Sequence, residues 1–282
     1  MIRLKPVKSK KDIYIAGHRG SQGGNVIGNT TAAFMAALYQ GAELIELDVA
    51  KSKDGTYYLF HTGEEKLRLH GRKHFEEYTD KELAKMRMHN IFNDPTNYAP
   101  EKVFDVLPKF KGRNCIMNVD RSVKYWEDFL PKLDALGMND QLLLKAAPSE
   151  EALKNLEKYA PKIPFLAIIS DRNLDQIELC EKYKINFAGV ELLFTEDSSP
   201  IFEKGIVEKL HRKGRIAYVN ALQWSAECNL NAWHNDEVSI TGNPDAGWGW
   251  LADKGFDVIQ TDYISALKKY LFSSISDNPP SV

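Results

Sequence analysis

Two histidines, an arginine and a carboxylate pair, His18, Arg19, Glu46, Asp48 and His61, lie close together near the start of the chain. Each stands at the end of a short apolar run, as do Asp120, Lys145, Glu191 and Asn220 further on. In "LIELDV", Glu46 and Asp48 are two residues apart, so on a strand both project from one face. Two carboxylates aimed together repel unless a cation or a proton lies between them. Asp120, which ends "CIMNVD", brings a third oxygen donor, and an all-oxygen set with no nearby thiolate favours Mg²⁺ or Ca²⁺ over zinc. The expectation is one divalent metal on Glu46, Asp48 and Asp120. The bland alternative is a set of salt bridges to Arg19 or Lys145.

His18 and His61 suit proton transfer near neutrality, one taking a proton from a nucleophile while the other gives one to a leaving oxygen. Which residue takes which role stays open. Arg19 has a fork of donors for phosphate, and Lys145 adds a cation for developing charge. Asn220 and Trp224 are counted with them as substrate contacts. A single strand-end histidine is more often structural. The whole group, two imidazoles with cations and a metal, describes phosphoryl transfer better than redox or acyl chemistry.

Such residues need strands to aim them. The runs "IYIAG", "ELIELDV", "YYLFH", "CIMNVD", "QLLLKA", "PFLAIIS", "FAGVELLF", "RIAYVNAL" and "DVIQTDY" read as strands, several buried on both faces. Amphipathic stretches separate most of them, among them "TTAAFMAALYQG", "KYWEDFLPKLDALG", "EEALKNLEKYA", "LDQIELCEKYK" and "IFEKGIVEKLHRKG". That is one strand more than an eight-stranded barrel uses. "DGTYYLF" follows a Lys-Asp-Gly turn signal and reads as the return arm of a hairpin. The predicted fold is therefore an α/β (β/α)8 TIM barrel. It carries an extra hairpin and a long polar loop (62–110) after strand 2, and a long Trp-rich loop (225–249) after strand 7. One barrel spans 1–272, and 273–282 reads as a flexible tail.

With 37 Lys and Arg against 39 Asp and Glu, the net charge of -2 gives no global pull toward nucleic acid or an anionic membrane. Three scattered cysteines make neither a disulfide framework nor a zinc knuckle. No apolar run reaches the ~20 residues of a membrane span. The reading is a soluble chain, cytoplasmic or, with a leader removed, secreted or periplasmic. Its partner would be a small-molecule or lipid-derived phosphodiester, not nucleic acid.

Other candidates read as structural. His70, His74 and His89 fall in the polar loop and are expected to be solvated; His211 is expected as a charge at a helix C-terminus. His234 and Asp236 lie in the late loop with Trp248 and Trp250, which read first as core anchors and second as an aromatic wall for substrate. "GSQGGN" after His18 lacks the spacing of a nucleotide-binding loop.

The sequence resembles the glycerophosphodiester phosphodiesterase family through "HRG" (18–20), "NTTAAF" (29–34), "GAELIELDV" (41–49), "DG" (54–55), His61 and "DVIQTDY" (257–263). Order and spacing run over nearly the whole chain. The resemblance implies a (β/α) barrel that cleaves glycerophosphodiesters with a divalent metal. It also implies His18 and His61 as the acid/base pair, Arg19 on phosphate, and Glu46, Asp48 and Asp120 on metal. Three positions depart from the pattern. Gly28 stands where the family has a glutamate and Thr62 where it has an aspartate, and Asp120-Arg121-Ser122 replaces Glu-x-Lys. These changes, with the two long loops, imply a different head group or a larger substrate. A related branch similar to sphingomyelinase D implies an alternative route that leaves a cyclic phosphate. A barrel that binds a phospho-ligand without chemistry is the further alternative.

Overall fold

The structure is a computed structural model that describes residues 2–273 apart from 224 and 226. Trp224 and residues 274–282 of the expected tail therefore lie outside the described residues. Nine strands run β1 (Tyr14–Gly17), β2 (Leu44–Lys51), β3 (Tyr57–Leu59), β4 (Ile116–Asp120), β5 (Leu142–Ala146), β6 (Phe165–Ser170), β7 (Phe187–Leu193), β8 (Ile216–Asn220) and β9 (Val258–Thr261). All but β3 pair in parallel, in the order β1-β9-β8-β7-β6-β5-β4-β2, and β1 pairs with β2 to close the ring. β3 is antiparallel to β2, with Val49 opposite Leu59, and the turn between them uses Gly55 at φ +87. The chain is a (β/α)8 barrel with an added hairpin.

Both faces of the barrel strands are buried, which is why they read as nearly unbroken apolar runs. Outward residues such as Ile15, Ile45, Leu47 and Val119 pack in the main core with the helices. Inward residues Ala16, Leu44, Ile116, Leu143, Leu166, Ile216 and Val258 form a separate cluster inside the ring. The two-residue strand period then dictates what lies above that floor. Leu44 is followed on the same face by Glu46 and Asp48, Ile116 by Asn118 and Asp120, and Leu143 by Lys145. Ile216 is followed likewise by Tyr218 and Asn220, and Val258 by Gln260. The barrel is oily at its base and polar toward its C-terminal mouth. Gly189 sits in the inward row of β7, where a Cβ would lie 2.2 Å from the Ile216 carbonyl oxygen of β8.

The first helix, Thr31–Gln40, starts where the Thr30 side chain accepts from the Ala33 amide and stops at Gly41, φ +94. The stretch 201–214, expected as one helix, is two: Pro200–Glu203 and Ile206–Arg212, interrupted by Gly205 at φ +58. Residues 62–110, expected as a polar loop with a short helical stretch near "TDKELAKMR", have that helix and differ from expectation in building a core. They form short helical pieces, including Asp80–Leu83 with a Thr79/Glu82 capping box. Leu69, Phe75, Tyr78, Leu83 and Met88 from this segment build a second small core with Ile27, Ala50, Tyr58 and Phe60. Their irregular spacing hides that core from a periodicity reading. Among the described residues, no helix is long and apolar enough to cross a membrane.

Candidate active site

Asp48 is the centre of the mouth. Its Oδ2 accepts from Asn29 Nδ2 at 2.8 Å and lies 2.9 Å from Arg19 Nε, while Oδ1 lies 3.3 Å from Arg121 Nε. All three partners hold left-handed backbone: Arg19 at φ +54, Asn29 at +59 and Arg121 at +58. That conformation costs a non-glycine residue roughly 1–2 kcal/mol, and such strain concentrates at functional sites. Gly20 (φ +83) completes the turn under Arg19, so close to the first helix that a Cβ would lie 2.6 Å from the Ala33 carbonyl group. The "HRG" motif is thus a turn that points Arg19 back at β2.

The two carboxylates of β2 have different electrostatics. Burial pushes the Asp48 pKa up, but Arg19 and then His61 outweigh it and hold it below the ordinary carboxylate value. Glu46, whose Oε2 accepts from the Arg19 amide at 3.0 Å, is pushed up to about 7 by burial and by neighbouring Asp48. One is a fixed anion; the other titrates near neutrality.

His18 and His61 both lie within electrostatic reach of Asp48. His18 follows β1, where its amide donates to the Thr261 carbonyl, and its Nδ1 is 2.9 Å from Asp262 Oδ1. His61 follows β3. Burial lowers its pKa, and Arg19 and Arg121 add to that against the opposing pull of Asp48 and Glu64. Its Nδ1 is buried without a hydrogen bond, with Glu64 Oε1 3.7 Å away. Glu64 also accepts from Arg19 at 2.6 Å and lies 3.4 Å from Arg68 Nε. Arg19, Gly28, Asn29, His61 and Glu64 line one cleft. A carboxylate therefore stands in the cleft that Gly28 leaves without one.

Lys145, buried, reaches Asp120 Oδ2 at 3.1 Å and Glu191 Oε2 at 3.2 Å. Burial acts to lower its pKa, but those two carboxylates outweigh it and keep Lys145 charged. Asn220 is also buried, but its side-chain oxygen accepts from the Leu222 amide, tying it to its own loop. Trp224 was expected among the substrate contacts and lies outside the described residues.

The late loop serves the fold. Asp236 Oδ1 accepts from Trp248 Nε1 and Thr261 Oγ1, and Oδ2 accepts from the Asp262 amide. Trp248 is buried; Trp250 packs on Phe194 and Phe202 and stacks on His234, whose Nε2 meets Asp197. His211 pairs with Asp257, which also accepts from the Val7 and Ala217 amides at the opposite end of the barrel. His70 and His74 are exposed, and His70 stacks on His89.

Asp48 and Asp120 are register partners on β2 and β4, and Glu46 shares the inward face of β2. Both oxygens of Asp48 and of Asp120, and one of Glu46, nonetheless meet protein donors: Asp48 meets Arg19, Asn29 and Arg121, Asp120 meets Lys145 and the Arg121 amide, and Glu46 Oε2 meets the Arg19 amide. Among the described residues, no group of three or more His, Cys, Asp or Glu side chains is disposed to hold a metal ion. In this arrangement the donor set does not fit a hard cation, which needs several oxygens turned to one point.

Sequence reading singled out His18, Arg19, Glu46, Asp48, His61, Asp120 and Lys145, and all of them lie at or just below this mouth. It passed over Glu64, Arg121 and Asp262. Glu64 follows His61 by three residues and Asp262 belongs to the closing "DVIQTDY", so position beside a motif was the available signal.

The family described as a domain of unknown function matches residues 165–271. No curated protein matches the chain. A glycerophosphoryl diester phosphodiesterase from Parabacteroides distasonis superposes with a TM-score of 0.71 at 16% identity, covering 97% of this chain and 91% of that one. For a glycerophosphodiester phosphodiesterase from Agrobacterium tumefaciens the TM-score is 0.62 at 20% identity, with 91% and 99% covered. A phosphodiesterase from Oleispira antarctica, in complex with its product sn-glycerol-3-phosphate, gives 0.66 at 16%, with 94% and 100% covered. The likeness shows the fold. At such identities it says nothing of which side chains act.

Proposed function

We propose that this chain cleaves a phosphodiester of the glycerophosphodiester type at the C-terminal mouth of its barrel. One observation carries the reading: two imidazoles of different environment, His18 on Asp262 and His61 beside Glu64, share the field of Asp48 with Arg19. One imidazole takes the proton of the attacking oxygen as its bond to phosphorus forms. The other protonates the alcohol oxygen as its bond to phosphorus breaks, giving a phosphomonoester and an alcohol. Arg19 and Lys145 offset charge on the phosphoryl oxygens. The product held by the Oleispira antarctica neighbour supports a glycerol phosphate portion in the substrate.

His18→Ala and His61→Ala should each lower turnover on a panel of glycerophosphodiesters by about 10²–10⁴-fold while the thermal unfolding midpoint holds. Unchanged turnover in both variants would sink the proposal. In water labelled with heavy oxygen, label in the monoester marks hydrolysis, and an unlabelled cyclic phosphate marks internal attack by a substrate hydroxyl. A second reading keeps a Mg²⁺ or Ca²⁺ ion, favoured by the Asp48–Asp120 register pairing with Glu46 on the same face. It requires Arg121 and Lys145 to release their carboxylates.

A further inference from the structure

Building on the proposed phosphodiester chemistry, we propose that Arg121 is, beside Arg19, a resident counter-ion of Asp48 and a further phosphate-facing cation of the site, so that cleavage here needs no divalent metal. Arg121 leaves β4 directly after Asp120, in a left-handed conformation (φ +58) secured by a hydrogen bond that its backbone N–H donates to Asp120 Oδ1 at 2.6 Å. That turn sends the guanidinium across to Asp48 of the neighbouring strand, Nε to Oδ1 3.3 Å. The Asp48 side chain is 4% exposed and that of Arg121 is 42% exposed. The ion pair is therefore anchored at its buried carboxylate and open at its cationic end.

A guanidinium has five N–H donors in a planar fork, and the contact with Asp48 uses the Nε side. The terminal nitrogens make no hydrogen bond to the described residues and remain for two oxygens of a phosphate, the geometry arginine meets best. Electrostatic coupling to His61 places the charge beside an imidazole of the proposed acid/base pair. Cations already sit on the carboxylates. Asp48, Asp120 and Glu191 pair with Arg19, Arg121 and Lys145, and Glu64 pairs with Arg19 and Arg68, so a dication at Asp48 and Asp120 would have to displace side-chain cations already held there.

The test is titration calorimetry of the full chain with Mg²⁺ and with Ca²⁺, without substrate, beside turnover in chelator. The expected result is no saturable uptake of either ion with Kd below about 1 mM and turnover unchanged by chelator. Arg121→Asn removes the charge while keeping a residue that tolerates the left-handed turn. It should lower turnover about 10-fold or more and gain saturable uptake of one ion that Asp48→Asn abolishes. Arg121→Lys, which keeps a charge, should exclude the ion as the native chain does. One ion bound by the native chain below that threshold overturns the proposal, as does turnover lost in chelator and regained with metal. So does an Arg121→Asn chain that binds metal no better than the native one. Because calorimetry uses no substrate, a chain that excludes metal yet cleaves nothing refutes the phosphodiesterase reading alone, and an active metal-binding chain refutes this assignment alone.

Discussion

The two long excursions from the barrel mouth are both polar in composition, yet they serve His61 and His18 of the site in opposite ways. From residues 62–110, Leu69, Phe75, Tyr78, Leu83 and Met88 join the small second core, and Glu64 and Arg68 turn into the cleft beside His61. Residues 227–249 instead bury Asn231, Asn235, Asp236 and Ser239. Asp236, 3% exposed, accepts from Trp248, Thr261 and the Asp262 amide, and Asp262 holds His18. One loop presents charge to whatever enters; the other spends its charge on placing a residue. Composition cannot separate these uses, because a buried polar group with partners and an exposed one without have the same letter.

That contrast can be broken, most forcefully at Asp236. Asp236→Ala would leave three donors without an acceptor and should cost roughly 3 kcal/mol or more in urea unfolding; a loss below about 1 kcal/mol would put the late loop on the same footing as the early one. Burial pushes the Asp236 pKa up to about 7. A carboxyl whose folded pKa lies above its unfolded value contributes fully at pH below the ordinary carboxylate range of about 4. The stability gap between native and variant chains should therefore be widest there and shrink as pH rises through about 7. A gap that widens with pH would refute this.

Asp262→Asn should leave unfolding nearly unchanged and lower kcat about 10-fold with KM held, and Asp262→Glu should restore part of it. An equal loss in both variants would make Asp262 a structural residue rather than the positioning residue of His18. Glu64→Gln should act the other way. Stability should shift by less than about 1 kcal/mol while KM rises several-fold, because Arg19 loses its tether at the cleft. A fall in kcat with KM constant would move Glu64 out of the binding wall. The smallest effect is expected at His61. Arg121→Asn removes one of the cations that lower its pKa, so its imidazole should titrate at higher pH than in the native chain, followed by NMR. A downward movement would contradict the placement of Arg121 beside it.

The fold was legible to an unusual depth, and the reason is particular. Every barrel strand is buried on both faces, so each appears as a compact apolar run, and the Lys-Asp-Gly turn before Tyr57 identifies the one strand that folds back. The second core stayed hidden because Leu69, Phe75, Tyr78, Leu83 and Met88 follow no helix or strand period. At the mouth, the two-residue spacing of Glu46 and Asp48 correctly placed both on one face. It did not reveal that Asp48 meets two arginines, since Arg121, in sequence only the middle residue of the Asp120-Arg121-Ser122 stretch, acquires its role from a left-handed turn.

Alone, the sequence determined the ring of strands and the row of polar residues at their ends. Both follow from local rules, the two-residue alternation of side chains and the burial of apolar ones. Only the tertiary structure decided which cation answers which carboxylate. Coulomb energies depend on separation and on the surrounding dielectric. Arg19 with Glu64, Arg121 with Asp48 and Lys145 with Glu191 come within reach only once strands distant in sequence have closed on one another.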